Sequence, residues 1–185
     1  MIRLLLLSLI CLTLTFPAYA QVVAETESCD FLINFPDEPV INTECESPDE
    51  CTTAISYTNV HIGEATVKVN ALCKPSSEED YNRFSEEEMT ATLMEQAKIS
   101  GIKQYQTHSA TIDDTAKYAV LTGAKTNSDS TNIYMNQLWI TNTSILSVEG
   151  EITGISSDDI DQEFSRILRS VRPKDITPQQ DSPSP

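Results

Sequence analysis

Four cysteines, Cys29, Cys45, Cys51 and Cys73, crowd the first third of the chain that follows residue 20, and none comes after Cys73. Paired, they would crosslink the first strands before the rest of the chain has packed. Their chemistry depends on the compartment. The first twenty residues, MIRLLLLSLICLTLTFPAYA, have Arg3 as a positive start, an apolar run from Leu4 to Phe16 and a small-x-small end at Ala18-Tyr19-Ala20. This is the pattern of a secretory signal peptide, too short for a membrane span. Residues 1–20 are therefore read as a leader, and the chain as exported, to a periplasm or to the extracellular space. Cys11 leaves with the leader, and an even four thiols remain in an oxidising compartment.

Zinc needs short C-x2-4-C pairs or nearby histidines, and a redox dithiol needs C-x-x-C. Here fifteen, five and twenty-one residues separate the cysteines, and the histidines are His61 and His108. Two structural disulfides fit better, with no metal and no cofactor. Four cysteines allow three pairings. In CESPDEC, the insert is turn chemistry between two extended runs, so Cys45 and Cys51 are read as a pair on facing strands of a hairpin. In EATVKVNALC, Ala65, Val67, Val69, Ala71 and Cys73 share one apolar face. Cys29 has the same parity as Phe31, Ile33 and Phe35, and Cys29–Cys73 is read as the second pair, though the sequence alone leaves all three pairings open.

Residues 21–28 read as a short leader segment, 29–173 as a single domain and 174–185 as a disordered proline-rich tail. Removing residues 1–20 takes away one arginine and no acid, so the formal charge moves from −16 to −17. Such a chain repels phosphate backbones and anionic lipid, which disfavours nucleic acid and membrane surfaces as partners. A monomer, not embedded in a membrane after cleavage, is the expected form.

Along the chain, the Phe31-Ile33-Phe35 alternation predicts a strand that Pro36 and Pro39 end. Extended runs follow at Val40–Cys45, Cys51–His61 and Ala65–Cys73. Ser85-Glu86-Glu87-Glu88 is a capping box opening a helix with Met89, Leu93 and Ala97 on one side and Gly101 at its stop. Four β-like segments come next, with turns at Asp113-Asp114 and Asn142-Thr143 and a loop at NSDST. The segment Asn132–Thr141, apolar on both faces, reads as a central strand. Ile160, Phe164, Ile167, Leu168 and Val171 then mark an amphipathic helix ended by Pro173, with Ser156 and Asp159 resembling a second capping box.

The phrases FLINFPDEP, AISYTNVHIGEATVKVNAL, LWITNTSILSVEGEI and FSRILRSVRP, in this order over residues 30–172, resemble the PsbP-like fold and its secreted bacterial relatives. Those begin F-x-V-x-F-P-x-x-P and end on a helix F-x-x-I-x-x-S-F/V. The resemblance implies an α+β fold, an antiparallel sheet of about six to eight strands with two main helices packed on it. It implies an accessory or protein-binding role more than catalysis, and it carries no shared catalytic set. The four cysteines depart from the common pattern.

Catalytic signatures are scarce. G-x-S-x-G, H-E-x-x-H, P-loop and G-x-G-x-x-G motifs do not occur. Three readings remain. In the first, the chain is a non-catalytic binding or accessory domain whose partner, a protein or envelope component, meets a sheet face bearing Lys68, Asn70, Glu149 and Glu151. In the second, it is an envelope-polymer hydrolase using Glu149 and Glu151 as paired carboxylates, or His108. In the third, it carries a small ligand beside Trp139. The Asp158/Asp159/Asp161 cluster lacks the spacing and glycine of a calcium loop and reads as helix-start electrostatics. Asn142-Thr143-Ser144 is a glycosylation sequon in a eukaryotic secretory pathway.

Overall fold

The computed structural model describes residues 21–47, 50–126 and 131–174. The leader, the tip of the CESPDEC insert, most of the NSDST loop and the tail beyond Lys174 lie outside the described residues. Ten strands and three helices follow in chain order: β1 Val22–Ala24, β2 Phe31–Phe35, β3 Val40–Ser47, β4 Glu50–Val60, β5 Ala65–Pro75, α1 Glu78–Arg83, α2 Glu86–Ile99, β6 Gln104–Ile112, β7 Ala116–Thr126, β8 Thr131–Ile140, β9 Ser144–Gly154, α3 Asp158–Arg169 and β10 Arg172–Pro173.

The strands form two antiparallel sheets, one of three strands in the order β1-β2-β10 and one of seven in the order β3-β4-β5-β9-β8-β7-β6. After β5 the chain crosses through α1 and α2 to the far edge. It then returns strand by strand until β9 lies against β5. This corrects the expected fold class. Strand accounts for 54% and helix for 22% of the structure, so the protein is mostly β. Two sheets and three short helices replace an α+β fold with two main helices on one sheet of six to eight strands. The second sheet is built from stretches with little signal of their own: Val22–Ala24 lies in the segment read as a leader, and Arg172–Pro173 pairs with Leu32 and Phe31 after the helix.

Alternation along β2, β5 and β9 builds the main core. Phe31, Ile33 and Phe35 of the small sheet and Ile160, Phe164, Ile167 and Leu168 of α3 cover Val67, Val69, Leu146, Val148 and Ile152. Gly150 on β9 makes the close approach of α3 possible, since a Cβ there would sit 2.8 Å from a ring carbon of Phe164. On the other face of the large sheet, Met89, Leu93 and Ala97 of α2 pack with Ala119, Leu121, Tyr134 and Ile140. The Ser85 hydroxyl accepts from the Glu88 backbone N–H, and Glu88 accepts from the Ser85 backbone N–H, so both ends of the capping box are made. Gly101 ends α2 with φ +74°, and the Ile102 N–H returns to the Ala97 carbonyl. In contrast, α3 is capped at Ser157 with no side-chain bond, and Ser156 donates instead to Asp161. Lys117 Nζ donates to the carbonyls of Tyr81 and Phe84 and ties the α1–α2 joint to β7.

Candidate functional site

The sulfurs join Cys29 to Cys73 and Cys45 to Cys51. Cys45 and Cys51 are direct cross-strand partners with Cα atoms 4.0 Å apart, beside a register shift between Cys45 and Ser47. Cys29 and Cys73 are buried and fasten the segment ahead of β2 to the large sheet.

The residues predicted for a binding face lie on neighbouring strands. Lys68 is the register partner of Glu151, and Asn70 that of Glu149. They share the face that carries α2, on the half of the sheet that the helix leaves open. Glu149 is exposed, while Glu151 is half-buried and accepts from Asn132 Nδ2 at 2.8 Å. Burial pushes the Tyr134 hydroxyl up to about 12, with the charge of Glu149 adding to the shift. His108 is exposed on β6, on the opposite face, and packs edge-on against Tyr118. The sheet thus separates His108 from the two glutamates. Trp139 is buried, stacked on Tyr118 and edge-on to Phe31, and its Nε1 donates to Gln137. Neighbouring side chains therefore occupy the space beside its ring.

A second polar site was not foreseen. The chain end of β4 and the edge of the apolar stripe of α3, beside Ile160 and Ile167, meet at Glu163, whose carboxylate is buried. It accepts from the Tyr57 hydroxyl at 3.0 Å and from Asn59 Nδ2 at 3.0 and 3.1 Å, and His61 Nε2 lies 3.1 Å away. A carboxylate only accepts, so Nε2 carries the hydrogen and His61 turns its other ring nitrogen away from Glu163. Burial is the main cause that raises the Tyr57 hydroxyl, with its bond to Glu163 next. Asn59, His61 and Glu163 of this cluster form one wall of an open pocket of about 460 Å³ between α3, the end of β2 and the end of β4. Asp37, Asp159, Gln162 and Arg166 also line it, with Asn34, whose Oδ1 is buried without a partner.

Tyr57, Asn59 and His61 alternate along β4 and so share a face, and that parity was readable. Their meeting with Glu163 was not, because 102 to 106 residues of chain separate the partners. Among the described residues, no serine, threonine or cysteine lines this pocket. The arrangement can bind through hydrogen bonds and negative charge, with the Tyr57 hydroxyl taken up by Glu163. Among the described residues no three or more His, Cys, Asp or Glu side chains are grouped to hold a metal ion, and no helix is long and apolar enough to cross a membrane. No family model and no curated protein matches the chain.

Proposed function

We propose that this chain is an exported, disulfide-stapled binding domain. In this reading its ligand-recognising site is the pocket walled by Glu163. The observation that carries it is a buried carboxylate fully engaged by Tyr57, Asn59 and His61 at the wall of an open cavity. So engaged, Glu163 holds its neighbours rigid. Asp37 and Asp159 then set the sign of the charge that the pocket prefers. Among the described lining residues, three carboxylates against the guanidinium of Arg166 favour a cationic group, such as a lysine or arginine side chain of a partner protein. The accessory role implied by the PsbP-like resemblance agrees with this, as do the leader and the paired cysteines.

The test is a titration of the chain from Gln21 onward with short lysine- or arginine-bearing peptides and with acidic peptides of equal length, followed by calorimetry. Cationic peptides should bind, and the double variant Asp37→Asn/Asp159→Asn should lose about ten-fold in affinity at unchanged melting temperature. Equal binding of both peptide classes, or binding indifferent to the double variant, would remove the pocket from the reading. N-terminal sequencing of the native protein should start near Gln21.

A second surface is favoured by the register that puts Lys68 beside Glu151 and Asn70 beside Glu149 on an open half-sheet. Charge reversal of Glu149 and Glu151 should weaken capture of a partner from the native envelope if this face makes the contact.

A further inference from the structure

The large sheet ends in two edge strands of different character. At one edge, β3 carries Glu44 and Glu46, a register break beside Cys45 and a disulfide to its neighbour. Charges and bulges are the usual means by which an edge is kept from pairing with another chain. At the other edge, β6 has the sequence QYQTHSATI, with no acid, lysine, arginine, proline or glycine, and its pairing with β7 runs unbroken from Gln104 to Ile112. In a chain of formal charge −16, this is a long uncharged row of backbone donors and acceptors.

Beside it, α2 presents a second stripe, separate from the buried Met89-Leu93-Ala97 stripe. Ala91 and Met94 face Ile102 and Tyr105 across a groove of about 550 Å³. Met94 is 40% and Tyr105 37% exposed. The two ends of this edge carry opposite charge. Lys103 precedes β6 and the Lys125 chain reaches to Gly101, while Lys98 of the same groove is paired with Glu95. Asp113 and Asp114 follow β6, and Thr111 donates to Glu86 at the start of α2.

A sequence that runs basic, uncharged, acidic is complementary to itself when read antiparallel. In the register centred on His108, Gln104 faces Ile112 of the other copy, and Lys103 faces Asp113. Lys103 stands just before β6 on the parity of Tyr105, and Asp113 opens the turn just after it with φ +47°, so the two charges flank the strand at its opposite ends. The same two-fold axis brings the Ala91/Met94 stripes of the two α2 helices toward each other over the new strand pair. That would cover Met94 and Tyr105. We propose that β6 is a dimerisation edge, through which two copies of this chain join antiparallel, with Lys103 of each paired to Asp113 of the other. The self-complementary charge order selects a second copy over an unrelated strand. It goes beyond the ligand pocket and does not rest on it, because the α3 pocket lies on the other face of the sheet.

The test uses the chain from Gln21 onward in sedimentation velocity at moderate salt. The parent should show a concentration-dependent dimer. Lys103→Glu alone sets two carboxylates against each other at each end of the strand pair, and Asp113→Lys alone sets two ammonium groups together there. Each variant should dimerise about a hundred-fold more weakly. Mixed in equal amounts, the two variants restore opposite charges at both ends and should form a heterodimer. A folding defect would not be cured by mixing. A parent that stays monomeric to millimolar concentration overturns the proposal, as does a dimer indifferent to Lys103→Glu. A monomer whose β6 edge instead takes up a strand of a different protein overturns it too.

Discussion

Glu163 shows how one buried carboxylate can organise side chains from distant parts of a chain. Its three donors come from one strand and the residue just past its end, and α3 delivers it from the other end of the sequence. Replacing it with glutamine keeps the volume but turns an N–H₂ group toward donors, leaving hydrogen-bonding groups buried without partners. Glu163→Gln should cost about 2 kcal/mol in urea unfolding. Tyrosine ionisation supplies a second prediction. Burial raises both Tyr134, to about 12, and Tyr57, and neighbouring carboxylates (Glu149 and Glu163) push the same way. An unfolded tyrosine loses its proton near pH 10, which is about where these two still hold theirs when folded. Above that pH the folded state therefore binds more protons than the unfolded one, and stability falls as pH rises. The contribution is intact below about pH 10 and is lost toward pH 12. Urea midpoints measured across this window should drop, and the drop should be shallower in Tyr134→Phe.

Among the elements, α2 and α3 are held by different means. The box at Ser85 was legible in four consecutive residues because capping is local chemistry, and Ser85→Ala should cost about 1 kcal/mol. For α3, the contact that matters is with Gly150, which belongs to β9 and lies outside the helix. Gly150→Ala would press a methyl group into Phe164 and Leu168. It should destabilise by about 1–3 kcal/mol, with near-ultraviolet dichroism reporting loosened aromatic packing. The Ser156/Asp159 pattern misled because a hydroxyl three residues before an acid is only a candidate cap. Here the helix begins one residue later, and Ser156 bonds to Asp161.

At the scale of the whole molecule, the two disulfides do different work. Cys29–Cys73 closes a separation of 44 residues and is buried, whereas Cys45–Cys51 closes 6 and includes the exposed Cys45. Loop-closure entropy makes the long link worth about 4 kcal/mol and the short one about 2 kcal/mol. Mild reductant should open Cys45–Cys51 first. Mass mapping after thiol blocking should show modified Cys45 and Cys51 while Cys29 and Cys73 stay protected. Reversing that order would mean that the segment ahead of β2 is not packed as described.

Short-range periodicity determined a good deal of this protein. The two-residue alternation of β2, β5 and β9, the 3.6-residue stripe of α3 and the box of α2 each lie within a window of a few turns, where backbone geometry alone assigns faces. Cys73 belonged to an apolar face, and it is buried. The tertiary structure alone decided which faces meet. Val22–Ala24 and Arg172–Pro173 are too short to carry a pattern, and they become strands because β2 offers them unpaired backbone. That is how a second sheet arose where one had been expected. Glu163 stands three residues after Ile160 and four before Ile167, so helical spacing alone sets it at the border of the apolar stripe. It became the centre of a buried network only because α3 crosses the sheet where Tyr57, Asn59 and His61 converge. Such a meeting depends on packing across more than a hundred residues of chain, and no local period encodes it.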